Sequence, residues 1–535
     1  MDYEQMNDKM IYIIILLWII PICRRIFLHV SIWQQKEYRW DRMREYLRLS
    51  STQRKILSPL EAVKWLLLLF ALSARDYGTS IFVFLIIILL MENVVFFKEI
   101  SKHVFLKPVP TIKSILVTVL SFILTIAATL LLFGNSSSAN KVIIFLISER
   151  LLFVFVVLSV ILFYPFSIFL KNRKITLARK KRKSYDNLVA VGITGSYGKS
   201  STKNILAMLL GDEQVVVTPG NTNTEIGVAD FLLKKVSAET RYFVSEMGAY
   251  RTGEIKQLTE IVRPKIGIIT AVTDQHLGLF GSLENIKKAK YELIQSLSVD
   301  GTAILNADDA VCMELAAVTK NCKVLTYGLR NPANVTAKII NSNEAGIHAT
   351  ISGFFPDFDI FLPLFGDYQI SNALAAITAA ISLGISVEKI KERLVLVRPT
   401  KGTMDVYSLN GATIIDDSYN ANSVGVIMTA ESLNKFEKKN KIIVLAPLFE
   451  LGSDAGVQHK MIGKSLANIA SKVIYTSCDY VADIKSGMGA STEKFILETN
   501  PQKLIEFVNK YLNNDSVILL EGRVPRQLRE YLAKK

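Results

Sequence analysis

The sequence contains few cysteines and no close pair of them. Its four cysteines in 535 residues are Cys23, Cys312, Cys322 and Cys478, scattered along the chain. Disulfide frameworks and zinc sites need cysteines at short or regular spacings. The pattern therefore argues against a disulfide-stapled fold and against a cysteine-rich zinc site, and it predicts free thiols in a reducing compartment.

Acidic residues are scarce relative to basic ones. The chain carries 63 Lys and Arg against 48 Asp and Glu, a formal charge of +15. The basic residues cluster beside apolar stretches, for example at 24–55 and 171–183, and no aromatic-basic pattern typical of nucleic-acid binding accompanies them. Basic flanks of apolar segments are typical of cytoplasmic membrane loops. The charge therefore predicts a membrane as partner, and no nucleic acid.

Long apolar stretches, in contrast, are abundant in the first third of the chain. Half of all residues are hydrophobic, which is high for a wholly soluble protein. A helix that crosses a bilayer needs about 20 apolar residues. Four stretches come near that length, at 10–28, 81–97, 115–133 and 151–170, and a short fifth at 62–74 carries Lys64. Buried core helices are the alternative, but so many near-continuous stretches favour a membrane region.

The charges of the loops predict an orientation for this region. The segments 24–57, 98–113 and 171–183 are basic, whereas 134–140 is uncharged. Basic loops stay on the cytoplasmic side, which requires the fifth stretch to cross as well. The expected result is a multi-pass cell-membrane protein with five crossings, an outside N-terminus and cytoplasmic domains after residue 171. The leading residues are acidic rather than basic, so a cleaved signal peptide is not expected.

After residue 183 the sequence alternates between strand and helix patterns. Buried strands are expected in segments such as NLVAVGITG, YFVSEMG and KIGIIT, and short β segments at 330–365. This alternation favours an α/β fold with parallel sheets. The connector VRPTKGT carries proline and glycine and predicts a change of domain near 398–403. The expected segments are a membrane region at 1–171, a basic linker at 172–185, and two domains at 186–398 and 399–535.

A phosphate-binding loop of the common spacing is missing. In GITGSYGKSSTK, residues 192–203, that pattern needs a glycine where Ile193 stands, and Gly195 lies closer to Gly198 instead. Strand, glycine loop and helix is nevertheless a setting in which backbone amides hold phosphate. Lys199 would neutralise phosphate charge, and the Ser200 hydroxyl would bind magnesium. The alternative is a tight turn with a surface lysine.

Further segments carry a resemblance that resolves the odd spacing. TPGNTNTEIG, SEMGAYRTGEI, ITAVTDQHLGLFGSLENIKKAKYEL, NADD, ISNALAAI, DDSYNAN and FELG followed by His459 occur in this order. From about residue 186 onward the chain resembles the Mur ligases of peptidoglycan synthesis, whose nucleotide loop has this shortened spacing. Among them, the type that adds D-alanyl-D-alanine is the most similar.

The resemblance implies a fold, a reaction and a set of site residues. The fold would be a central P-loop ATPase domain and a C-terminal Rossmann-like domain. The reaction would join a muropeptide-like carboxylate to an amino acid or dipeptide amine through an acyl phosphate, with ATP and Mg²⁺. The implied ATP-binding residues are Gly195, Ser196, Gly198, Lys199, Ser200, Ser201, Asn372 at the adenine and Asp417 at the ribose. The implied magnesium ligands are Ser200, Glu246, His276 and a carbamylated Lys290, and Lys199, Glu246, His276 and Lys290 would be catalytic. The implied substrate contacts are Asn221, Asn223, Tyr419 and Asn420.

The chain departs from the family pattern at several positions. Apolar stretches occupy the place of the domain that grips the uridine diphosphate. Thr403 stands where the family has an arginine, with Arg398 nearby as a candidate substitute. Tyr368-Gln369 replaces a His-Asn pair, and Glu521 replaces a lysine that helps recognise the incoming amino acid. These departures predict intact ATP activation with altered substrate recognition, and a lipid-linked acceptor is one consequence.

Other functions stay open at this point. A poly-γ-glutamate-type ligase shares the nucleotide loop, although DDSYNAN and FELG favour the peptidoglycan type. A scaffold that recruits cell-wall enzymes and no longer turns over is the alternative from another class. ATP-driven transport is disfavoured, because the apolar stretches are few and no second nucleotide site is evident.

Overall fold

The structure, a computed structural model, divides into two compact units, Met1–Asn172 and Arg173–Lys535. We call them the N-terminal and the C-terminal unit and describe each by itself. The residues described are 3–48, 59–73, 80–101, 105–133, 136, 138–211, 214–220, 222–275, 277–399, 402–419, 421–449 and 451–533.

The regular secondary structure of the N-terminal unit, within its described residues, consists of helices. Its helices are α1 (Tyr3–Gln35), α2 (Trp40–Arg48), α3 (Pro59–Ser73), α4 (Ser80–Ser101), α5 (Ile112–Phe133) and α6 (Ser138–Lys183), the last of which continues into the C-terminal unit. In the described part of the chain, four segments are long and apolar enough to cross a membrane: Lys9–Gln35, Ser80–Ser101, Ile112–Phe133 and Asn140–Lys183. The fifth predicted stretch corresponds to the 15-residue α3. Five crossings and their orientation stay predictions.

Charged side chains meet inside this apolar unit and form what we call the ion cluster. Its members are Arg25 from α1, Glu61 and Lys64 from α3, Glu92 from α4, and Glu149 and Arg150 from α6. Lys64 Nζ lies 2.6 Å from Glu92 Oε2 and 2.8 Å from Glu149 Oε2. Buried charges among apolar helices are stable only when they are paired. The lysine that makes the fifth stretch unusual is therefore a partner of two carboxylates.

The C-terminal unit begins with the last quarter of α6, which packs against the first sheet domain. Ile175 and Ala178 are buried in the core of that domain. Arg182 donates hydrogen bonds to the backbone carbonyls of Val262 at 2.8 Å and Leu188 at 2.9 Å. The segment predicted as a linker, 172–185, is thus helical up to Lys183 and belongs to the packed structure.

The first sheet domain is a nine-stranded sheet covered by helices. The strand order is β2-β3-β1-β4-β5-β6-β7-β8-β9, parallel from β2 to β7 and antiparallel from β7 to β9. The strands are β1 (Val189–Thr194), β2 (Val215–Val217), β3 (Tyr242–Glu246), β4 (Ile266–Ile269), β5 (Thr302–Asn306), β6 (Lys323–Gly328), β7 (Val335–Asn343), β8 (Gly346–Gly353) and β9 (Phe358–Leu362). The helices are α7 (Lys199–Leu210), α8 (Glu225–Lys235), α9 (Glu254–Val262), α10 (Leu277–Phe280), α11 (Leu283–Gln295), α12 (Ala310–Val318), α13 (Tyr368–Ser382) and α14 (Val387–Leu394).

The second sheet domain has six strands in the order β10-β11-β15-β12-β13-β14, and only β10 runs antiparallel to its neighbour. The strands are β10 (Asp405–Leu409), β11 (Ala412–Asp417), β12 (Asn440–Leu445), β13 (Lys472–Tyr475), β14 (Phe495–Leu497) and β15 (Ser516–Glu521). The helices are α15 (Ser423–Ser432), α16 (Ala455–Ile469), α17 (Val481–Met488), α18 (Pro501–Asn509) and α19 (Arg526–Ala533). The prediction of an α/β fold with a helical N-terminal region is confirmed. The predicted segment limits themselves stay predictions.

Strand register brings chemical side chains to one edge of each sheet. In the first sheet, Glu246 at the end of β3 pairs in register with Ile193, just before the glycine loop. In the second, Asp417 at the end of β11 is the register partner of Glu521 at the end of β15. Ligands of parallel α/β sheets bind beyond the carboxyl ends of the strands. These two strand ends are therefore where a site is expected.

Candidate active site

The glycine loop between β1 and α7 leaves no room for side chains at two positions. Gly198 caps α7 in the left-handed conformation, with φ of 78°. A Cβ atom added there would overlap Asn372 Oδ1, and one added at Gly195 would overlap Thr270 Oγ1. The loop is therefore closely packed while its backbone amides stay near the helix N-terminus. That arrangement suits phosphate.

Lys199 folds back across this loop. Its Nζ donates a hydrogen bond of 2.6 Å to the carbonyl of Gly195 and another of 3.3 Å to that of Ser196. Burial lowers the pKa of Lys199, and the charge of Glu246 acts in the opposite direction. The ammonium is thus held beside the position where a phosphate would lie.

Glu246 is the centre of the polar contacts below the loop. Its Oε2 accepts a hydrogen bond of 2.7 Å from Ser200 Oγ and lies 3.3 Å from Lys203 Nζ. Its Oε1 accepts one of 3.1 Å from Asn223 Nδ2. Lys203 was not among the site residues predicted from the sequence, although it lies four residues after Lys199 and therefore on the same side of α7.

The contact between Ser200 and Glu246 fits the demands of magnesium. A hydroxyl and a carboxylate oxygen are hard ligands, and magnesium keeps several waters or phosphate oxygens beside one or two protein groups. Within the described ranges, no group of three or more His, Cys, Asp and Glu residues could hold a metal alone. The predicted ligand His276 lies outside the described residues. Two oxygens from the protein are thus a partial shell that a nucleotide would complete.

Lys290, on α11, is buried and lies within electrostatic reach of Lys199. Burial, reinforced by the positive charge of Lys199, lowers the pKa of Lys290 to about 7. Near neutral pH a large share of this side chain is therefore an uncharged amine. An uncharged amine is the form that can react with carbon dioxide, so the environment is compatible with the expected carbamate.

The residues expected to contact the nucleoside come from both sheet domains. Asn372 donates a hydrogen bond of 3.0 Å from Nδ2 to Gln369 Oε1 on the same helix. A pocket beside them is lined by Ser201, Asn204, Ile205, Met208, Leu364, Gln369, Val397, Arg398, Pro399 and Thr403. Arg398 donates hydrogen bonds to the backbone carbonyls of Val395 and Val397. Its guanidinium is therefore engaged within the connector.

The positions that depart from the family pattern gather around Asp417. Met404, next to Thr403, donates its backbone N–H to Asp417 Oδ1 at 3.2 Å. Glu521 is the register partner of Asp417. Burial, reinforced by the charges of Asp417 and Glu521, raises the pKa of Tyr368 well above its usual range. Burial raises the pKa of Asp417 to about 7 and, with the charge of Asp417, the pKa of Glu521 well above its usual range.

Tyr419 lies between the two sheet domains. Burial and the charge of Glu246 raise its pKa, whereas the charge of Arg523 acts in the opposite direction. The domains also touch where Gln458 donates a hydrogen bond to Asp274 and where Gly452 approaches Gly278. The cleft thus places Tyr419 within reach of the first domain's site.

Some predicted residues have other positions or no described one. His459 is buried; its Nε2 accepts a hydrogen bond of 3.2 Å from the Leu448 N–H, and its ring stacks on Tyr480. These contacts give His459 a structural role at the start of α16. Asn221 and Asn420, like His276, lie outside the described residues.

Comparison with known proteins places this architecture. The profile of the Mur ligase middle domain matches residues 193–380, and that of the Mur ligase glutamate ligase domain matches residues 404–524. The UDP-N-acetylmuramoyl-tripeptide--D-alanyl-D-alanine ligase of Bacillus subtilis is 30% identical over 347 residues, which cover 64% of this chain and 74% of that protein. The chain belongs to the Mur ligase family. The predicted resemblance is confirmed.

Further relatives show how much of this Mur ligase is shared with known proteins. The enzyme of the same name from Mycobacterium tuberculosis is 34% identical over 286 residues, which cover 52% of this chain and 56% of that protein. The chain thus spans little more than half the length of the mycobacterial relatives. The crystal structure of MurF ligase from Thermotoga maritima in complex with ADP superposes with a TM-score of 0.61 at 27% identity, over 68% of this chain and 83% of that one. The family profiles begin at residue 193, after the helical N-terminal unit.

Proposed function

We propose that this Mur ligase is an ATP-dependent ligase of peptidoglycan synthesis that joins a muropeptide carboxylate to D-alanyl-D-alanine. One observation carries the proposal: Ser200 Oγ and Glu246 Oε2 are 2.7 Å apart directly below a glycine loop that holds Lys199. Phosphoryl transfer depends on positioning and on charge neutralisation at the transferred group. Lys199 supplies a cation, and the contact between Ser200 and Glu246 supplies a partial magnesium shell beside it.

Each residue has a defined task in this scheme. The loop amides and Lys199 would bind phosphate oxygens, and Ser200 and Glu246 would hold magnesium, which neutralises phosphate charge when bound. Asn372 and Asp417 would orient the nucleoside from opposite sides of the cleft. Asn223, attached to Glu246, would place the acceptor carboxylate beside the loop.

We further propose that the enzyme works at the cytoplasmic face of the cell membrane on a lipid-linked acceptor. The support is the set of four helices long and apolar enough to span a membrane, together with the changed residues around Asp417. A membrane-embedded acceptor would be presented by its lipid and would need no domain that grips a uridine nucleotide.

The test uses the full-length protein in detergent with ATP, magnesium and either D-alanyl-D-alanine or glutamate as the amine. A lipid-linked muropeptide tripeptide and the free uridine nucleotide form are offered as acceptors, and products are read by mass spectrometry. We expect ligation of the lipid-linked form, and Lys199→Ala should lower the rate by at least about 100-fold. Lys235→Ala, an exposed lysine on α8, is the matched control and should keep the wild-type rate.

The alternative outcomes separate the remaining functions. Use of the uridine nucleotide alone would reject the lipid-linked acceptor and leave the ligase intact. Addition of glutamate instead of D-alanyl-D-alanine would indicate a poly-γ-glutamate-type ligase. ATP hydrolysis that no amine or acceptor stimulates would favour a scaffold without turnover, the reading to which Thr403 in place of an arginine lends support.

A further inference from the structure

Lys203 is a buried cation to which the proposed reaction gives no task. It lies on α7 one turn beyond Lys199 and is 1% exposed. A lysine at such burial is stable only when its ammonium is paired and hydrogen-bonded. Its partners therefore show what it does.

The ammonium of Lys203 joins two parts of the site. Its Nζ lies 3.3 Å from Glu246 Oε2 and donates a hydrogen bond of 3.3 Å to the carbonyl of Gly220. Gly220 belongs to the Asn-rich loop, by which we mean residues 218–220 and 222–224. One side chain thus connects the helix after the glycine loop, the end of β3 and the Asn-rich loop.

The Asn-rich loop has two other links to the same strand end. Thr218 Oγ1 accepts a hydrogen bond of 3.0 Å from the backbone N–H of Glu246. The carbonyl of Asn223 accepts one of 2.9 Å from the N–H of Gly248. The loop is therefore anchored at both ends of its described part, and Lys203 holds the stretch between them.

We propose that Lys203 is a positioning residue that couples nucleotide binding to the order of the Asn-rich loop. Glu246 Oε2, which lies beside Lys203, also accepts a hydrogen bond from the Ser200 hydroxyl. A magnesium ion held by Ser200 and Glu246 would compete with Lys203 for this oxygen. The ammonium would then rely more on Gly220. Loading the nucleotide would thereby tighten the loop that receives the acceptor. The inference rests on the magnesium and nucleotide binding of the proposed function.

The test measures amide hydrogen exchange in full-length protein, with and without magnesium and a non-hydrolysable ATP analogue. In the wild type, exchange of peptides that cover the Asn-rich loop should slow by about tenfold when the nucleotide binds, the scale of one hydrogen bond to a charged group. In Lys203→Met these peptides should exchange about tenfold faster and respond little to nucleotide. Lys203→Arg should keep part of the response, and Lys235→Met should behave as the wild type.

A second readout separates coupling from damage. Removing a positive charge 3.3 Å from Glu246 makes that carboxylate a stronger magnesium ligand. The magnesium concentration that half-saturates nucleotide binding should therefore fall several-fold in Lys203→Met, whereas a merely distorted site would need more magnesium. Amide exchange in α9 reports whether the domain is folded. If the Lys203→Met protein is unfolded, the partial response expected of Lys203→Arg tests the inference instead.

Several results would overturn the inference. An Asn-rich loop that responds equally to nucleotide in wild type and Lys203→Met would do so, and so would a higher magnesium requirement in that variant. Failure of the wild type to bind nucleotide would reject this inference and the proposed function together. Nucleotide binding and loop response without any ligated product would reject the proposed function alone.

Discussion

The two sheet domains each place a glutamate at the carboxyl end of a parallel strand, in opposite electrostatic settings. Glu246 faces the ammonium of Lys203 and accepts hydrogen bonds from Ser200 and Asn223. Glu521 is 1% exposed, and its Oε2 has no hydrogen-bond partner among the residues that the structure describes. Burial and the charges of Asp417 and Asp416 raise its pKa. The first carboxylate is paired with a cation, whereas the second is buried beside other carboxylates. Position in a sheet therefore does not decide the task of a carboxylate; its neighbours do.

The largest expected effect separates the two glutamates by substitution. Glu246→Gln removes the proposed magnesium ligand and the charged partner of Lys203, and we expect kcat to fall by about 100- to 1,000-fold. Glu521→Gln should change the KM for the amine by less than about tenfold and leave kcat nearly unchanged. Steady-state kinetics of both variants measure this, and equal losses in kcat would remove the distinction.

A smaller effect concerns the pH dependence of stability. Burial raises the pKa of Asp417 from 3.8 to about 7, so the folded state prefers the protonated form. This contribution is fully present below about pH 4 and is lost as the pH rises through about 7. Raising the pH from 5.5 to 8 should therefore lower the thermal midpoint of the wild type, by roughly 2–4 °C.

Asp417→Asn is the comparison for this prediction, because its amide does not titrate. The drop in thermal midpoint between the two pH values should shrink in that variant, as measured on full-length protein in the same detergent. Identical drops in wild type and variant would mean that Asp417 does not cause the pH dependence, and would contradict the prediction.

The smallest expected effect concerns Arg398, the candidate substitute for the arginine that is missing at Thr403. Arg398 is near Thr403 in sequence, but its guanidinium donates to the carbonyls of Val395 and Val397. Arg398→Ala should therefore change the KM for ATP by less than about threefold, the scale of an exposed charge. An increase above tenfold would show that Arg398 replaces the arginine missing at Thr403.

The sequence predicted the residues of one continuous segment of the site better than the contacts between segments far apart in the chain. The glycine loop, Lys199 and Ser200 form one continuous segment whose conformation follows from strand, glycines and helix. Lys203 was not predicted as a site residue because its role depends on its contact with the Asn-rich loop, which is a separate segment of the chain. The proximity of Tyr368 to Asp417 and Glu521 depends on the register of strands about a hundred residues apart and on contact between two domains. Local pattern carries no information about either.

The ion cluster of the N-terminal unit has a consequence for how this protein can change. Its three basic and three acidic groups balance one another. Lys64 is shared by Glu92 and Glu149, so replacing it alone would leave one negative charge of the cluster uncompensated among apolar helices, at a cost of several kcal/mol. Substitutions at these positions should therefore be tolerated mainly in pairs that keep the net charge of the ion cluster at zero. A single replacement that abolishes activity would report failed helix assembly, and its effect should not be counted as a loss of chemistry.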